Sequence, residues 1–227
     1  MTTKPVRLGV VGSSGGSALA AAADCLVEAG KPVEWVVVTD RQCGLEDWAR
    51  DCGHSASRID YKDAEIFSQS AFELFHAAGC ANILLFYTRR VALPLIDKLS
   101  VWNIHPSLLP AFPGLHAVRD AAAAGVKIFG ATLHHVDAGL DSGKIVAQVC
   151  APFPQSLKLE DAEHLSYLQK VWLTLVWFEQ LHHPHGKVDA DSSCSPGMTT
   201  SNPGLLDDGL RRSYMKFLAQ SKKLLSQ

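Results

Sequence analysis

The first part of the chain alternates short apolar runs with segments of high helix propensity. Val6–Gly12 is a continuous apolar run that ends in glycine, which is typical of a buried parallel strand. The Gly/Ser loop at 13–17 separates this run from an alanine-rich segment at 18–28, where a helix is predicted to end at Gly30. Strand, loop and helix in this order predict the opening of a βαβ unit.

The same alternation continues along the chain. It predicts strands at 33–38 and 83–87 and helices at 44–51 and 64–78. This order favours an α/β fold in which helices cover both faces of a parallel sheet. Right-handed crossovers then place the carboxyl ends of the strands at one edge, where open α/β sheets bind ligands.

Beyond residue 100 the pattern is more irregular. A short strand leads into Asn103, and Pro106, Pro110 and Pro113 follow at a density that excludes a helix or a central strand, so a rigid loop is predicted there. The remaining predicted elements are a helix at 117–124, strands at 129–136 and 144–151, a long amphipathic helix at 159–181, a linker at 182–202 and a basic helix at 213–225. We therefore expect one catalytic domain over 1–181, with 182–227 forming a linker and a short helix packed on the same domain.

Composition narrows the class of protein. With 47% hydrophobic and 19% charged residues, the chain is typical of globular proteins. A net charge of −2 offers no basic surface for nucleic acid or for an anionic membrane. The first apolar run is too short for a signal peptide or a membrane span, so a cytoplasmic protein is expected. The six cysteines form no C-x-x-C pair, and neither a metal site nor a disulfide is predicted.

Two polar motifs point to acyl-transfer chemistry. Asn103 and His105 lie two residues apart on one predicted strand, so their side chains share a face just before the proline-rich loop. Farther along, Asp137 and Asp141 belong to an Asp-x-Gly-x-Asp-x-Gly turn that can bring a carboxylate to the imidazole. An amide and an imidazole can stabilise a developing oxyanion, and a carboxylate can assist proton transfer.

The segment 103–148, with NIHPSLLPAFPGLHA followed by FGATLHHVDAGLDSGKIVAQ, resembles the folate-dependent formyltransferases, and within them the group that acts on glycinamide ribonucleotide. The resemblance implies a Rossmann-like, mostly parallel twisted sheet with helices on both faces. It implies that Asn103, His105 and Asp141 are the catalytic residues and that 10-formyltetrahydrofolate is the co-substrate, with no metal. It also implies that His134, rather than His135, faces the cleft.

The resemblance further implies a folate cleft lined by the segment after the fourth strand and by the loop after residue 135. Arg90 aligns best with the arginine of that cleft, and Arg89 is an equal candidate if the alignment gap falls differently. The folate-binding residues implied in this way are Arg89, Arg90, Val91, Leu93, Val136, Asp137 and Leu140.

The acceptor side departs from the family pattern. The phosphate loop lacks its terminal asparagine, although small residues before a helix can still present backbone N–H groups to an anion. The long C-terminal helix shows Gln169-Lys170-Val171 where a Glu-His pair is expected. The acceptor-binding residues implied by the resemblance are Ser14, Gly15, Gly16, Ser17 and His116.

The expected reaction is formyl transfer to a primary amine in purine biosynthesis, with glycinamide ribonucleotide as the default acceptor. The expected partners are a small-molecule amine and folate, in a monomer or a homodimer. Three alternatives stay open: another small acceptor such as an amino sugar, a formyl-folate hydrolase in which water replaces the amine, and a non-catalytic folate- or nucleotide-binding module.

Overall fold

A mixed β-sheet forms the centre of the protein. The computed structural model describes residues 6–152, 159–182 and 200–225. Within them the strands are β1 (Val6–Gly12), β2 (Val33–Thr39), β3 (Ser55–Arg58), β4 (Asn82–Phe86), β5 (Ser100–His105), β6 (Ile128–His135), β7 (Ile145–Pro152) and β8 (Thr200–Asn202). The helices are α1 (Ser17–Glu28), α2 (Gly44–Asp51), α3 (Ala64–Ala78), α4 (Leu95–Lys98), α5 (Ala117–Ala123), α6 (Leu159–His182) and α7 (Asp208–Leu225).

The strand order is β3-β2-β1-β4-β5-β6-β7-β8. The first five strands in this order are parallel, and the pairings from β5 to β8 are antiparallel. The carboxyl ends of β1, β4 and β5 therefore lie side by side at one edge. The mostly parallel sheet predicted from the sequence is confirmed, and the antiparallel part extends it beyond β5.

Helices cover both faces of the sheet, as predicted. Leu8 and Val10 of β1 belong to a large core that also contains the buried residues of α1, α2, α6 and α7. Val11, the next residue, belongs to a second core formed with α3 and α4 on the opposite face. This division follows from the alternation of side chains along a strand. In β5 the same rule places Trp102 and Ile104 in the large core, so Asn103 and His105 lie on the other face.

The proline-rich loop packs against β6 and β7. Thr132 on β6 donates from Oγ1 to the carbonyl oxygen of Ser107 at 2.7 Å and accepts from the backbone N–H of Leu109 at 3.0 Å. Gln148 on β7 donates from Nε2 to the carbonyl oxygen of Leu109 at 3.0 Å. Through these hydrogen bonds, side chains of the sheet satisfy backbone groups of a loop that has no regular secondary structure of its own. They fix the loop that follows His105.

Most predicted elements are confirmed to within two residues at each end. Three short elements, β3, α4 and β8, were not predicted. β8 lies in the segment predicted to be a linker, and the last helix begins at Asp208 rather than at residue 213. The other linker residues, 183–199, lie outside the described part of the chain. Two contacts hold the C-terminal region against the helices α1 and α6. Ser213 donates to the carbonyl oxygen of Cys25 on α1 at 3.0 Å, and Glu179 on α6 accepts from the backbone N–H of Leu206 at 2.8 Å.

Candidate active site

A cleft of about 500 Å³ opens at the carboxyl edge of the sheet. It lies between the residues that follow β4 and the loop that follows β6, and the end of β5 forms its floor. Asn103, His105 and Asp141 all line it. The three side chains that the sequence motifs indicated are thus brought to one cavity.

The amide of Asn103 is oriented by a histidine on the neighbouring strand. Asn103 on β5 lies opposite His134 on the antiparallel strand β6. Nδ1 of His134 is 2.8 Å from the carbonyl oxygen of His135, which can only accept, so this nitrogen carries the proton. Nε2 of His134 then accepts from Nδ2 of Asn103 at 3.2 Å. Burial lowers the pKa of His134, in agreement with this neutral ring.

Only one of the two adjacent histidines faces the cleft. The ring of His135 packs against Trp102 in a tilted arrangement, with centroids 3.8 Å apart, on the other face of the sheet. This arrangement agrees with the prediction that His134 is the residue of the pair that lies at the cleft. In the part of the chain that the structure describes, no group of three or more His, Cys, Asp or Glu side chains is arranged to hold a metal ion.

His105 lies between a backbone carbonyl and a carboxylate. Its Nε2 donates to the carbonyl oxygen of Phe112 at 2.8 Å, and its Nδ1 lies 3.3 Å from Oδ2 of Asp141. Phe112 has a φ of 52°, a left-handed conformation that is rare for a bulky residue. Strained backbone of this kind concentrates at functional sites. The strain here lies at the residue whose carbonyl oxygen accepts from His105.

Nδ1 of His105 and Oδ2 of Asp141 lie close enough for one proton to be placed between them. Because Nε2 already donates to Phe112, an interaction between Nδ1 and Oδ2 needs a second proton, carried by either the imidazole or the carboxyl group. The backbone N–H of Gly114 donates to the same Oδ2 at 2.8 Å, which favours the ionised carboxylate. Asp141 is thus placed to stabilise positive charge on the imidazole of His105.

The loop at 137–143 is shaped by its own polar groups. Asp137 accepts from the N–H of Gly139 at 3.0 Å and from the hydroxyl of Ser142 at 2.8 Å. Asp141 has a φ of 50°, and aspartate tolerates this conformation better than most residues. Gly143 passes so close to the carbonyl oxygen of His135 that a Cβ would clash with it. The Asp-x-Gly-x-Asp-x-Gly pattern thus shapes the turn that carries Asp141.

The two arginines after β4 have different surroundings. Nε of Arg89 lies 3.0 Å from the fully buried carboxylate of Asp40, and its guanidinium lies 4.5 Å from the ring centroid of Tyr61. Burial of Asp40 opposes its ionisation, but hydrogen bonds from Arg41 and the charges of Arg41 and Arg89 hold its pKa below the ordinary value. Arg90 instead donates to the carbonyl oxygen of Ala138 at 3.2 Å, across the cleft. Both residues line the cavity, but Arg90 spans it.

The other residues implied by the resemblance divide between two cavities. Val91, Val136, Asp137 and Leu140 line the cleft, whereas Leu93 lies outside its lining and is exposed. Ser14, Gly15, Gly16 and Ser17 line a second cavity of about 190 Å³, and Ser14 lines both. His116 precedes the first residue of α5 and lines neither cavity.

Three residues of α6 that the sequence analysis did not assign to the site line the second cavity. They are Glu163, Tyr167 and Lys170, which lie at helical spacing on one face. The sequence analysis placed the expected Glu-His pair at Gln169-Lys170, but Glu163-His164 is itself such a pair, and Glu163 faces the cavity. The signal was three side chains with polar ends at i, i+4 and i+7 on one face of the helix.

A comparison of the sequence with models of protein families identifies the family of this chain. The family model described as Formyl transferase matches residues 6–165, which is more than half of the chain. The chain belongs to the formyl transferase family. The prediction of an enzyme that transfers a one-carbon formyl group is therefore confirmed, as is the Rossmann-like fold.

Individual relatives agree with the family assignment. The phosphoribosylglycinamide formyltransferase of Mycobacterium tuberculosis (strain CDC 1551 / Oshkosh) is 38% identical over 162 residues, which cover 65% of this chain and 72% of the relative. The glycinamide ribonucleotide transformylase 1 of Symbiobacterium toebii superposes with a TM-score of 0.68 at 34% identity, over 74% of this chain and 82% of the other. A formyltetrahydrofolate deformylase from Pseudomonas syringae pv. tomato has a TM-score of 0.66 over 74% of this chain and 58% of the other, but at 22% identity it shows the fold alone.

The family match covers every residue that lines the cleft except Lys170. It includes all strands from β1 to β7 and ends within the first turns of α6, just after Glu163. Lys170 therefore lies beyond the matched region. Among the described residues of this formyl transferase, no helix has the length and apolar character needed to cross a membrane.

Proposed function

We propose that the protein transfers the formyl group of 10-formyltetrahydrofolate to the primary amine of glycinamide ribonucleotide. The observation that carries this proposal is the convergence of Asn103, His105 and Asp141 on one cleft. Amide, imidazolium and carboxylate together supply the groups that formyl transfer needs. The relatives named for phosphoribosylglycinamide support the choice of acceptor.

The cleft fits a flat pterin and its attached chain. Its walls combine apolar side chains, such as Leu85, Ile104 and Val91, with a few polar groups, which is the usual composition of a small-molecule site. In our proposal the segment 88–91 and the loop 136–140 hold the folate, with Arg90 on its pterin side. Bound there, the folate supplies the activated formyl group.

The residues of the chain then have separate roles. Asn103, whose amide is oriented by His134, donates an N–H to the formyl oxygen as negative charge develops on it. The imidazolium of His105 stabilises the same charge. Asp141 keeps His105 protonated and receives the proton that the attacking amine loses. As the bond between the formyl carbon and N10 breaks, this proton passes to N10 and tetrahydrofolate leaves. The water-poor floor of β5, where His105 is 4% exposed, strengthens these electrostatic interactions.

One assay tests the proposal against its alternatives. The protein is incubated with 10-formyltetrahydrofolate in the presence and absence of glycinamide ribonucleotide, and tetrahydrofolate is followed by absorbance. Release that depends on the ribonucleotide supports the proposal. Release without any amine would instead identify a hydrolase, and the absence of release with any amine would indicate a binding module.

A further inference from the structure

Ser107 belongs to the same motif as Asn103 and His105, but it has no place in the mechanism so far. The residue is 1% exposed and lines neither the cleft nor the second cavity. A buried hydroxyl group is costly unless it finds a hydrogen-bond partner inside the protein. Ser107 finds its partners in the backbone of the proline-rich loop, so any effect that it has on the reaction must pass through that loop.

The hydroxyl group of Ser107 holds two consecutive carbonyl groups of this loop. It donates to the carbonyl oxygen of Ala111 at 2.5 Å and to that of Phe112 at 3.2 Å, so the two oxygens share its proton. Ser107 is itself fixed, because its own carbonyl oxygen accepts from Oγ1 of Thr132 on β6 at 2.7 Å. The backbone at 111–112 is thus tied to the sheet through one serine side chain.

The carbonyl oxygen of Phe112 is also the acceptor for the imidazole of His105. It receives Nε2–H of His105 at 2.8 Å in addition to the hydroxyl of Ser107. A φ of 52° is unfavourable for a bulky residue such as Phe112, so contacts from the rest of the structure must maintain it. The ring of Phe112 packs against the small apolar cluster that contains Phe129, and Ser107 holds the carbonyl side. Without the hydroxyl, this carbonyl group can turn away from the imidazole.

We propose that Ser107 is a positioning residue for formyl transfer: through the carbonyl oxygen of Phe112, it keeps Nε2 of His105 as a fixed donor and so directs Nδ1 towards Asp141. The inference rests on the proposed function, in which His105 stabilises the charge on the formyl oxygen, and deepens it. An imidazole that has lost its acceptor at Nε2 can rotate away from Asp141. It must then be reoriented in each turnover, which reduces the benefit of a preorganised site.

The kinetic test uses the full chain with Ser107→Ala. Loss of this hydrogen bond is expected to lower kcat about 3- to 10-fold. The KM values for 10-formyltetrahydrofolate and glycinamide ribonucleotide should change less than about twofold, because Ser107 lines neither cavity. Ser107→Thr keeps a hydroxyl group at the same position and should retain a kcat within about twofold of the wild-type value. A kcat in Ser107→Thr as low as in Ser107→Ala, at wild-type stability, would contradict the role of the hydroxyl.

Ser213→Ala is the matched control. Ser213 is also buried and also donates to a backbone carbonyl oxygen, that of Cys25, but it lies on α7 and lines neither cavity. The variant should lose a similar amount of stability in urea unfolding while its kcat stays at the wild-type value. An equal loss of kcat in Ser213→Ala and Ser107→Ala would show that general destabilisation, rather than the position of His105, lowers turnover.

An NMR measurement on the free enzyme separates this inference from the proposed function. In protein labelled with ¹⁵N at histidine, the Nε2–H proton of His105, a residue that is 4% exposed, should give a slowly exchanging signal, assigned by its absence in His105→Ala. The signal should persist in Ser107→Thr and Ser213→Ala and should broaden or disappear in Ser107→Ala. This result does not depend on which amine is formylated.

Three results would overturn the inference: no such signal in the wild-type protein, an unchanged signal in Ser107→Ala, or an unchanged kcat of Ser107→Ala in an enzyme that does formylate glycinamide ribonucleotide. If Ser107→Ala does not fold, as judged by circular dichroism, Ser107→Cys replaces it. The thiol of cysteine is only a weak donor, so the expected outcomes are the same.

Discussion

Nδ1 of His105, at the end of β5, lies 3.3 Å from Oδ2 of Asp141, in the loop after β6. Neither residue is near the other in sequence, and the contact depends on two backbone features. Phe112 directs its carbonyl oxygen to the far side of the imidazole, and Gly114 donates its N–H to the carboxylate. The chemistry of the site is therefore set by the proline-rich loop as much as by the side chains themselves.

Asp141→Asn should reduce turnover by about 10²- to 10⁴-fold, because the amide cannot accept the proton of the amine or keep His105 charged. Asparagine tolerates the left-handed backbone at this position, so the loop should keep its shape. The same loss is expected for His105→Ala. Turnover is measured as tetrahydrofolate release with saturating substrates, and thermal unfolding verifies the fold. Asp97→Asn, which changes an exposed carboxylate on α4, serves as the control. Turnover near the wild-type level in Asp141→Asn would remove Asp141 from the mechanism.

Arg90 and Arg89 form a matched pair of variants. Arg90→Met should raise the KM for 10-formyltetrahydrofolate several-fold, because Arg90 spans the cleft to Ala138, and should leave stability within about 0.5 kcal/mol. Arg89→Met should instead lower the free energy of unfolding by about 1–3 kcal/mol, since the buried carboxylate of Asp40 loses one of its two arginine partners. Urea unfolding and steady-state kinetics distinguish the two. The reverse result would assign Arg89 to the folate.

Glu179 should hold the C-terminal region in place. Its carboxylate is buried and accepts from the N–H groups of Leu206 and Asp207, just before α7. Glu179→Ala leaves these N–H donors without their carboxylate acceptor and should cost about 1–3 kcal/mol. Glu179→Gln keeps one acceptor oxygen and should cost less. Glu73→Ala, on the exposed face of α3, is the control, and an effect of Glu179→Ala no larger than this control would show that α7 packs without Glu179.

Stability should fall as the pH decreases from 7.5 to 5.5. Burial lowers the pKa values of His54, His134, His135 and His164 below the ordinary value of 6.5. The unfolded chain then binds more protons than the folded one in this window, so protonation favours unfolding. Carboxylates with lowered pKa, such as Asp40, titrate only at lower pH. The urea midpoint measured at both pH values tests the sign; a higher midpoint at pH 5.5 would contradict it.

Strong local patterns made much of the fold predictable. Val6–Gly12 and the other buried parallel strands are mostly apolar, and α3 has both an aspartate at its start, Asp63, and a glycine at its end, Gly79. β3 was missed because Ser55–Arg58 has no apolar run and forms the partly exposed edge of the sheet. β8 was missed because its three residues gain their stability from pairing with β7, which the local sequence does not encode.

In the candidate site, the sequence predicted the side chains that belong to motifs but not the backbone groups that contact them. Asn103, His105 and Asp141 converge as expected. The carbonyl oxygen of Phe112 and the N–H of Gly114 could not be foreseen, because their directions depend on how the loop packs against Thr132. In the sequence, Lys170 is only a departure from the family pattern. The packing of α6 shows that it borders both cavities.

Helix α6 connects the second cavity to the C-terminal region. One continuous helix, Leu159–His182, carries Lys170 at the second cavity and, farther along, Glu179 next to the start of α7. A shift of this helix caused by exchanging residues 200–225 with those of a relative would move the ammonium relative to the Gly/Ser loop. Chimaeras made at this junction are therefore expected to change the shape of the second cavity while leaving the loop at 136–140 in place.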